Sequence, residues 1–312
     1  MKRCREYNSY LREIFGQRVQ KISLDAGLKC PNRDGTISDK GCIFCDSRGS
    51  GTGALINQGL SLDEQITRAK AFIRKRYAAK KFIAYFQSFT NTYATIEKLK
   101  SLYDSALSHE DMVGLSIGTR PDCIDGDTLR LLSSYKDDFL VWIEYGLQSA
   151  HDKTLEKINR GHSVSCFEDA VRKTHEYGIN ICAHVILGLP GEDRDKMLQT
   201  ARFLSELPIQ GVKIHLMYVI KGTPLSQMYK NGEFKCLEQE EFTGLVVDFL
   251  ELLPPETVIQ RITGDPPVKS ELVAPMWALN KSENLKHIRD TLERRDTWQG
   301  RLFKKYTAGN KW

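Results

Sequence analysis

No run of eighteen apolar residues occurs in this chain of 312, so a membrane-spanning helix is excluded. The opening segment, MKRCREYNSYLREIFG, is basic but lacks both an apolar core and a small-residue cleavage site. A secretory leader is therefore not expected, and the cytoplasm is the expected compartment. Cysteines there stay reduced unless they bind metal. No low-complexity segment occurs, and no repeat beyond a strand–helix unit. Hydrophobic residues make up 41% and charged residues 27%, the composition of an ordinary globular protein rather than a disordered one.

The absence that matters most is a cysteine. Cys30, Cys42 and Cys45 fall within CPNRDGTISDKGCIFC, and no fourth follows at a matching short spacing. The other five, Cys4, Cys123, Cys166, Cys182 and Cys236, are scattered without a CxxC. Cys166 and Cys182 sit in apolar patterns and read as core thiols. A structural zinc site or an electron-carrying cluster usually takes four protein ligands. Three cysteines on one loop suit a [4Fe–4S] cluster held by three irons. Its fourth iron is left open to bind a small molecule and do chemistry on it. The competing reading is a structural zinc held by these cysteines and a distant histidine.

Strand-like and helix-like segments alternate along most of the chain. Extended segments are expected at 19–24, 82–86, 112–117, 139–145, 179–187 and 212–219. Helices are expected at 61–80, 95–107, 128–135, 166–177, 195–207 and 238–252. Ser61 and Glu64 form a capping-box pattern at the start of the first of these. A Gly-rich stretch, 48–53, follows the cysteine loop. Near-continuous apolar strands between helices imply a parallel sheet covered on its faces. Six such units are too few for a closed eight-fold barrel. The expected α/β fold is an open, partial (β/α)6 barrel over 19–253, with its cysteine loop at 30–45. A basic extension, 1–18, precedes it, and a short C-terminal extension, 254–312, carries a basic helix near 282–294.

In such folds chemistry gathers at the C-terminal ends of the strands. The polar motifs fall there: YFQSFTNTY at 85–93, GTRPD at 118–122, EYGLQS at 144–149, HVILGLPGE at 184–192 and KIHLMYVIKGTPL at 213–225. The net charge of +5 is uneven. Residues 1–33 hold eight Lys/Arg against three Asp/Glu, and residues 281–312 hold nine against four, leaving −5 between them. Charged ends are commonly just solvated. Two basic ends also suit contact with a phosphate backbone.

The C-x11-C-x2-C spacing, with Phe44 before the last cysteine, resembles the cluster loop of the radical S-adenosylmethionine (radical SAM) superfamily. The familiar spacing there is C-x3-C-x2-C, so the first gap departs from it. The TRPD, GLQS, GLPGE and KGTPL segments, with VIQRITGDPP at 258–267, resemble the branch containing the Elongator catalytic subunit and oxygen-independent coproporphyrinogen oxidase. CPNRDG…GCIFC, YFQSFTNTYA and WIEYGLQS resemble the YhcC/YtqA family of bacterial radical SAM proteins. The resemblance covers about residues 20–267.

It implies a [4Fe–4S] cluster on Cys30, Cys42 and Cys45, with S-adenosylmethionine chelated at the open iron. Reductive cleavage would yield a 5′-deoxyadenosyl radical, with the electron supplied by a partner such as flavodoxin or ferredoxin. Gln87 and Ser88, with Thr90 and Asn91, stand where the superfamily usually has a Gly-rich motif touching the methionine amino group. Gln148 and Glu144 would approach the ribose. Gly188 would let the backbone pass close to the adenine. No catalytic residue is assigned. His184 and His215 are either core histidines or substrate contacts, and Arg120 either holds an anion or pairs with Asp122.

Elongator-type enzymes modify C5 of the wobble uridine in tRNA. About 45 residues follow position 267, so the acetyltransferase-like part of those enzymes, and acyl transfer with it, is not expected. The resemblance thus implies tRNA as partner and modification of the uridine C5 side chain, for example carboxymethylaminomethyl to aminomethyl. A small-molecule or porphyrin-like substrate is the alternative within the same class. A zinc-stabilised, non-catalytic RNA-binding module is the alternative outside it.

Overall fold

Seven strands lie side by side, all parallel, in a computed structural model that describes residues 3–49, 59–264, 266 and 269–304. Helix α1 (Tyr7–Phe15) leads into β1 (Val19–Leu24). There follow α2 (Leu62–Tyr77), β2 (Lys81–Phe86), α3 (Ile96–Leu107), β3 (Met112–Thr119) and α4 (Gly126–Ser133). Next come β4 (Leu140–Gln148), α5 (Asp152–Lys157), α6 (Val164–Glu176), β5 (Asn180–Leu187), α7 (Arg194–Ser205) and β6 (Gly211–Leu216). The remainder is β7 (Val219–Ile220), α8 (Pro224–Lys230), α9 (Gln239–Leu252), β8 (Val258–Arg261), β9 (Leu272–Ala274) and α10 (Lys281–Arg294).

The sheet order is β1-β2-β3-β4-β5-β6-β8, a half-barrel with helices on its outer face. Six barrel strands are legible in the sequence, and PPETVIQRITGDPP at 254–267 reads only as one further extended piece outside the barrel. The seventh, β8, is four residues long, follows two prolines, and pairs with β6 through an irregular register. The capping box at Ser61 and Glu64 is formed, with both reciprocal bonds present. Of the Gly-rich stretch expected at 48–53 only 48 and 49 lie within the described residues. Positions 265 and 267 of the 258–267 motif lie outside them.

Alternation along the strands sorts the inward side chains into layers. The lowest is apolar: Val19, Ile83, Trp142, Cys182 and Val258 are all buried. Helix α1 closes this end. Its Leu11 packs on Val19 and Ile83, and Tyr7 and Tyr10 stand edge-on to Trp142 at centroid distances of 6.2 and 5.9 Å. Above it lies a polar layer, and above that the open end.

The two basic termini meet beside the start of β8. Gln299 N donates to Arg3 O, Arg5 N donates to Gln299 Oε1 (both 2.9 Å), and Arg3 pairs with Asp296. They thus lie together at the N-terminal end of the strands, the end that α1 closes.

At the open end, Ile43 and Phe44 pack into a satellite core with Leu155, Ile158, Val219, Leu225 and Ala274. The short antiparallel pair β7–β9 and helices α5 and α8 thereby seat the cysteine loop.

Candidate active site

A cavity of about 210 Å³ opens at the C-terminal ends of the strands, and Cys30, Cys42 and Cys45 all line it. Local bonding folds the long first gap onto the barrel. Cys30 O accepts from Arg33 N and Asp34 N, Ile37 N donates to Pro31 O, and Cys45 N closes a turn on Cys42 O at 3.0 Å. Asn32 Nδ2 donates to Asn159 O, and Asn159 Nδ2 donates to Gly41 O, each at 2.7 Å. This reciprocal clamp ties the loop to the connection between α5 and α6.

Nitrogen donors surround the thiols. Arg33 Nη1 is 3.3 Å from Cys45 Sγ, Asn32 Nδ2 is 3.6 Å from Cys42 Sγ, and Arg160 Nη1 is 3.7 Å from the same sulfur. N–H donors to sulfur tune iron–sulfur clusters. Among the described residues no three metal-ligating side chains converge on one point, as a single ion would need. A cubane takes each thiolate at a separate corner, so three cysteines spaced around one cavity fit it. Arg120, left open between two roles by the sequence, pairs with Asp122 at 2.7 and 2.9 Å and donates to Arg160 O at 2.8 Å. It positions the loop that carries Arg160.

The other sequence-derived residues divide. Gln87 and Gln148 line the cavity, Gln148 with a left-handed φ of +76° that side chains other than glycine seldom adopt. Ser88 is buried outside the lining, and its Oγ has no hydrogen-bond partner among the described residues. Gly188 also lies outside the lining. Its φ is +84°, and an added Cβ would meet Leu237 at 3.0 Å. The close approach at the cavity belongs to Gly146, where a Cβ would stand 2.6 Å from both Arg160 Nη2 and Gln148 Nε2.

Glu144 lines the cavity floor but is only 1% exposed. It anchors the polar layer. Lys21 of β1, Lys213 of β6 and Ser116 of β3 all bond to its carboxylate, and His184 Nε2 is 2.8 Å away. Lys21 also donates to Gln260 Oε1 at 2.7 Å, and Lys213 to Tyr85 OH at 3.1 Å. Burial opposes ionisation of Glu144, but Lys21 and Lys213 outweigh it and hold the carboxyl well below its usual range. Burial and neighbouring cations push His184 down to about 4, so it is neutral at pH 7. Burial likewise pushes Lys213 down to about 7, against the pull of Glu144.

Sequence reasoning missed Lys21, Lys213, Arg160 and Arg261. They stand on β1, β6, the α5–α6 connection and β8, and only the closure of the sheet brings them together. Asn32 and Arg33 were in view within CPNRDG, without a signal for their roles.

A parallel half-barrel with a three-cysteine loop over its open end defines a class of enzyme in which a cluster activates a small molecule above the barrel's interior. The Radical SAM superfamily profile matches residues 30–204, and the Radical SAM C-terminal domain profile matches residues 209–294. The YtqA protein of Bacillus subtilis strain 168 is 43% identical over 307 residues, covering 97% of this chain and 94% of its own length. The YhcC protein of Escherichia coli K12 is 38% identical, covering 86% and 85%. The tRNA uridine(34) acetyltransferase of Dehalococcoides mccartyi is 30% identical over 217 residues, covering 68% of this chain and 44% of its own. Among solved structures, the archaeal Methanocaldococcus infernus Elp3 superposes with a TM-score of 0.66 at 19% identity, over 90% of this chain and 64% of that one, a likeness of fold.

The chain belongs to the radical SAM superfamily, within its YtqA/YhcC-type group. It is an iron–sulfur enzyme that uses a [4Fe–4S] cluster and S-adenosylmethionine. Among the described residues no helix is long and apolar enough to cross a membrane.

Proposed function

We propose that this enzyme modifies the C5 side chain of the wobble uridine in tRNA, converting a carboxymethylaminomethyl group to aminomethyl, with the carboxymethyl carbons leaving as glyoxylate, water supplying the aldehyde oxygen and S-adenosylmethionine serving as the two-electron oxidant. The observation that carries the reading is the likeness to the tRNA uridine(34) acetyltransferase across 68% of this chain. When bound, the cluster supplies the electron that splits S-adenosylmethionine and so provides a radical able to abstract a substrate hydrogen.

The chain's own residues do the rest. Cys30, Cys42 and Cys45 hold the cluster, with Arg33, Asn32 and Arg160 as donors to the thiolates. Gln87 and Gln148 line the cavity at the strand ends and would face the cofactor, while Ser88 beside Gln87 and Gly188 just past β5 lie buried outside the lining. Glu144 fixes the floor. Phe89, Ile186 and Met217 line the same cavity and limit the water that reaches it.

The basic termini lie at the closed end of the barrel, so contact with the anticodon loop at the mouth falls to cavity-lining Arg33 and to exposed Lys29 and Lys40 of the cysteine loop. A flavodoxin- or ferredoxin-type protein delivers the electron, and the work is cytoplasmic.

Mass spectrometry of tRNA nucleosides from a strain lacking the gene tests this. Accumulation of carboxymethylaminomethyl at the expense of aminomethyl uridine is expected. An unchanged wobble-uridine profile contradicts it.

A further inference from the structure

The floor of the cavity carries more positive charge than it neutralises. Lys21, Lys213 and Arg261 gather there around one carboxylate, Glu144, among the described residues. Lys21 and Lys213 both spend their ammonium groups on Glu144. Arg261 is different. It ends β8, pairs in register with Lys213, and lines the cavity. Its guanidinium has no hydrogen bond or ion pair among the described residues, yet it stands close enough to His215, His184 and Lys213 to depress all three.

His215 adds a second observation. It lines the cavity from β6, and its Nε2 is buried with no partner among the described residues. Its ring lies 5.2 Å from that of His184, tilted by 33°. The buried ring nitrogen carries a desolvation cost that a ligand oxygen would remove, and the half-buried guanidinium beside it offers that ligand further donors.

We propose that Arg261 and His215 form a binding site for a carboxylate of the substrate. The planar guanidinium fork matches a carboxylate bidentately, and an N–H of His215 supplies a third donor. One bound anion also brings the excess charge of the floor down by one. Arg261 lies at the level of the Glu144 layer, on the strand at the far edge of the sheet from the cysteine loop's own strand. The carboxylate of S-adenosylmethionine, chelated at a cluster iron under that loop, is a separate group. A backbone phosphate of a polymer is a poor match for a site on the floor of the cavity, below its mouth. The proposal deepens the reading above and rests on it: the group held is the carboxylate of the uridine C5 substituent, which places the substituent's methylene carbons between Arg261 and the cluster.

The test is binding rather than turnover. The anaerobic holoprotein, saturated with S-adenosylmethionine, is titrated with N-methylglycine labelled with 13C at the carboxyl, and line broadening gives the dissociation constant. Dimethylamine and inorganic phosphate are the comparison probes. Saturable binding of N-methylglycine, weakened at least about tenfold in R261Q and partly restored in R261K, is expected, with no binding of dimethylamine. Iron content and the thermal transition confirm that each variant is folded.

Equal affinity in wild type and R261Q overturns the proposal, as does tighter binding of phosphate than of N-methylglycine. A tenfold loss of S-adenosylmethionine affinity in R261Q also overturns it, because the site then belongs to the cofactor. No tRNA enters this experiment. Binding of the probe alongside an unchanged wobble-uridine profile upholds the carboxylate site and removes the tRNA reading, and the converse pair of results does the reverse.

Discussion

His184 Nε2 and Glu144 Oε2 stand 2.8 Å apart on neighbouring strands, inside the barrel and beneath the cysteine loop. The imidazole is a neutral neighbour of one carboxylate and two lysine amines, of which burial pushes Lys213 down to about 7. Removing the carboxylate leaves Lys21 and Lys213 buried against one another. The Glu144→Gln variant is therefore expected to lose about 3 to 5 kcal/mol of stability, the cost of breaking a buried ion pair from one side. Urea denaturation of the anaerobic protein measures it. A loss below about 1 kcal/mol, the range of exposed pairs, would show that water reaches the layer.

The same layer sets a pH dependence. His184 titrates at about 4 in the folded chain against an ordinary value of 6.5, because burial and Lys213 disfavour its charged form. Above 6.5 both states are neutral there and nothing changes. As pH falls from 6.5 towards 4, the unfolded chain takes up a proton that the folded chain refuses. Stability should fall across that window, by roughly 3 kcal/mol for this one group. His162, pushed down to about 3 by burial and Arg160, acts in the same direction. Denaturation midpoints measured between pH 7 and pH 4 check the sign. His184→Gln should flatten the slope, and an unchanged slope contradicts the assignment.

Gly146 separates packing from function. A methyl group there meets the tips of Arg160 and Gln148, both flexible, so Gly146→Ala should fold with a change of about 1 kcal/mol or less. Arg160 cannot then keep its place beside Cys42, and Gln148 is displaced from the cavity wall. A loss of about tenfold or more in cluster retention or S-adenosylmethionine affinity is expected, the usual size of effect for a partner that supports a metal ligand. Iron analysis and equilibrium binding read it out. Wild-type values for both would remove Arg160 from the account.

The fold was legible where periodicity was strong. Segment 82–86 is a continuous apolar run and 179–187 is apolar apart from Asn180 and His184, and they form β2 and β5. Strand β8 was not legible as a barrel strand, because VIQR is short, half polar and preceded by Pro254–Pro255, and it is held by pairing with β6 rather than by its own pattern. Helix α1 was hidden for a related reason. Its apolar residues Tyr7, Tyr10 and Leu11 lie among charges and make sense only against Trp142.

In the site, the gathering of the three cysteines at one cavity was legible because their spacing is local. Lys21, Lys213 and Arg261 were not, since a lysine in an apolar strand carries no local sign of the carboxylate it will meet across the barrel. Glu144 was picked out as a cofactor contact, and its ion pairs with strands β1 and β6 are an additional role that only the closed sheet reveals.

The three thiolates of the cysteine loop are proposed to hold a cluster that cleaves S-adenosylmethionine. The most direct measurement is 5′-deoxyadenosine formed by the anaerobically reconstituted, reduced protein, for wild type and for Cys30→Ala, Cys42→Ala and Cys45→Ala. Product and about four irons per chain are expected for wild type, with cleavage abolished in every single variant. Cleavage that survives loss of any one of the three, or a colourless wild-type protein holding one zinc, would contradict it.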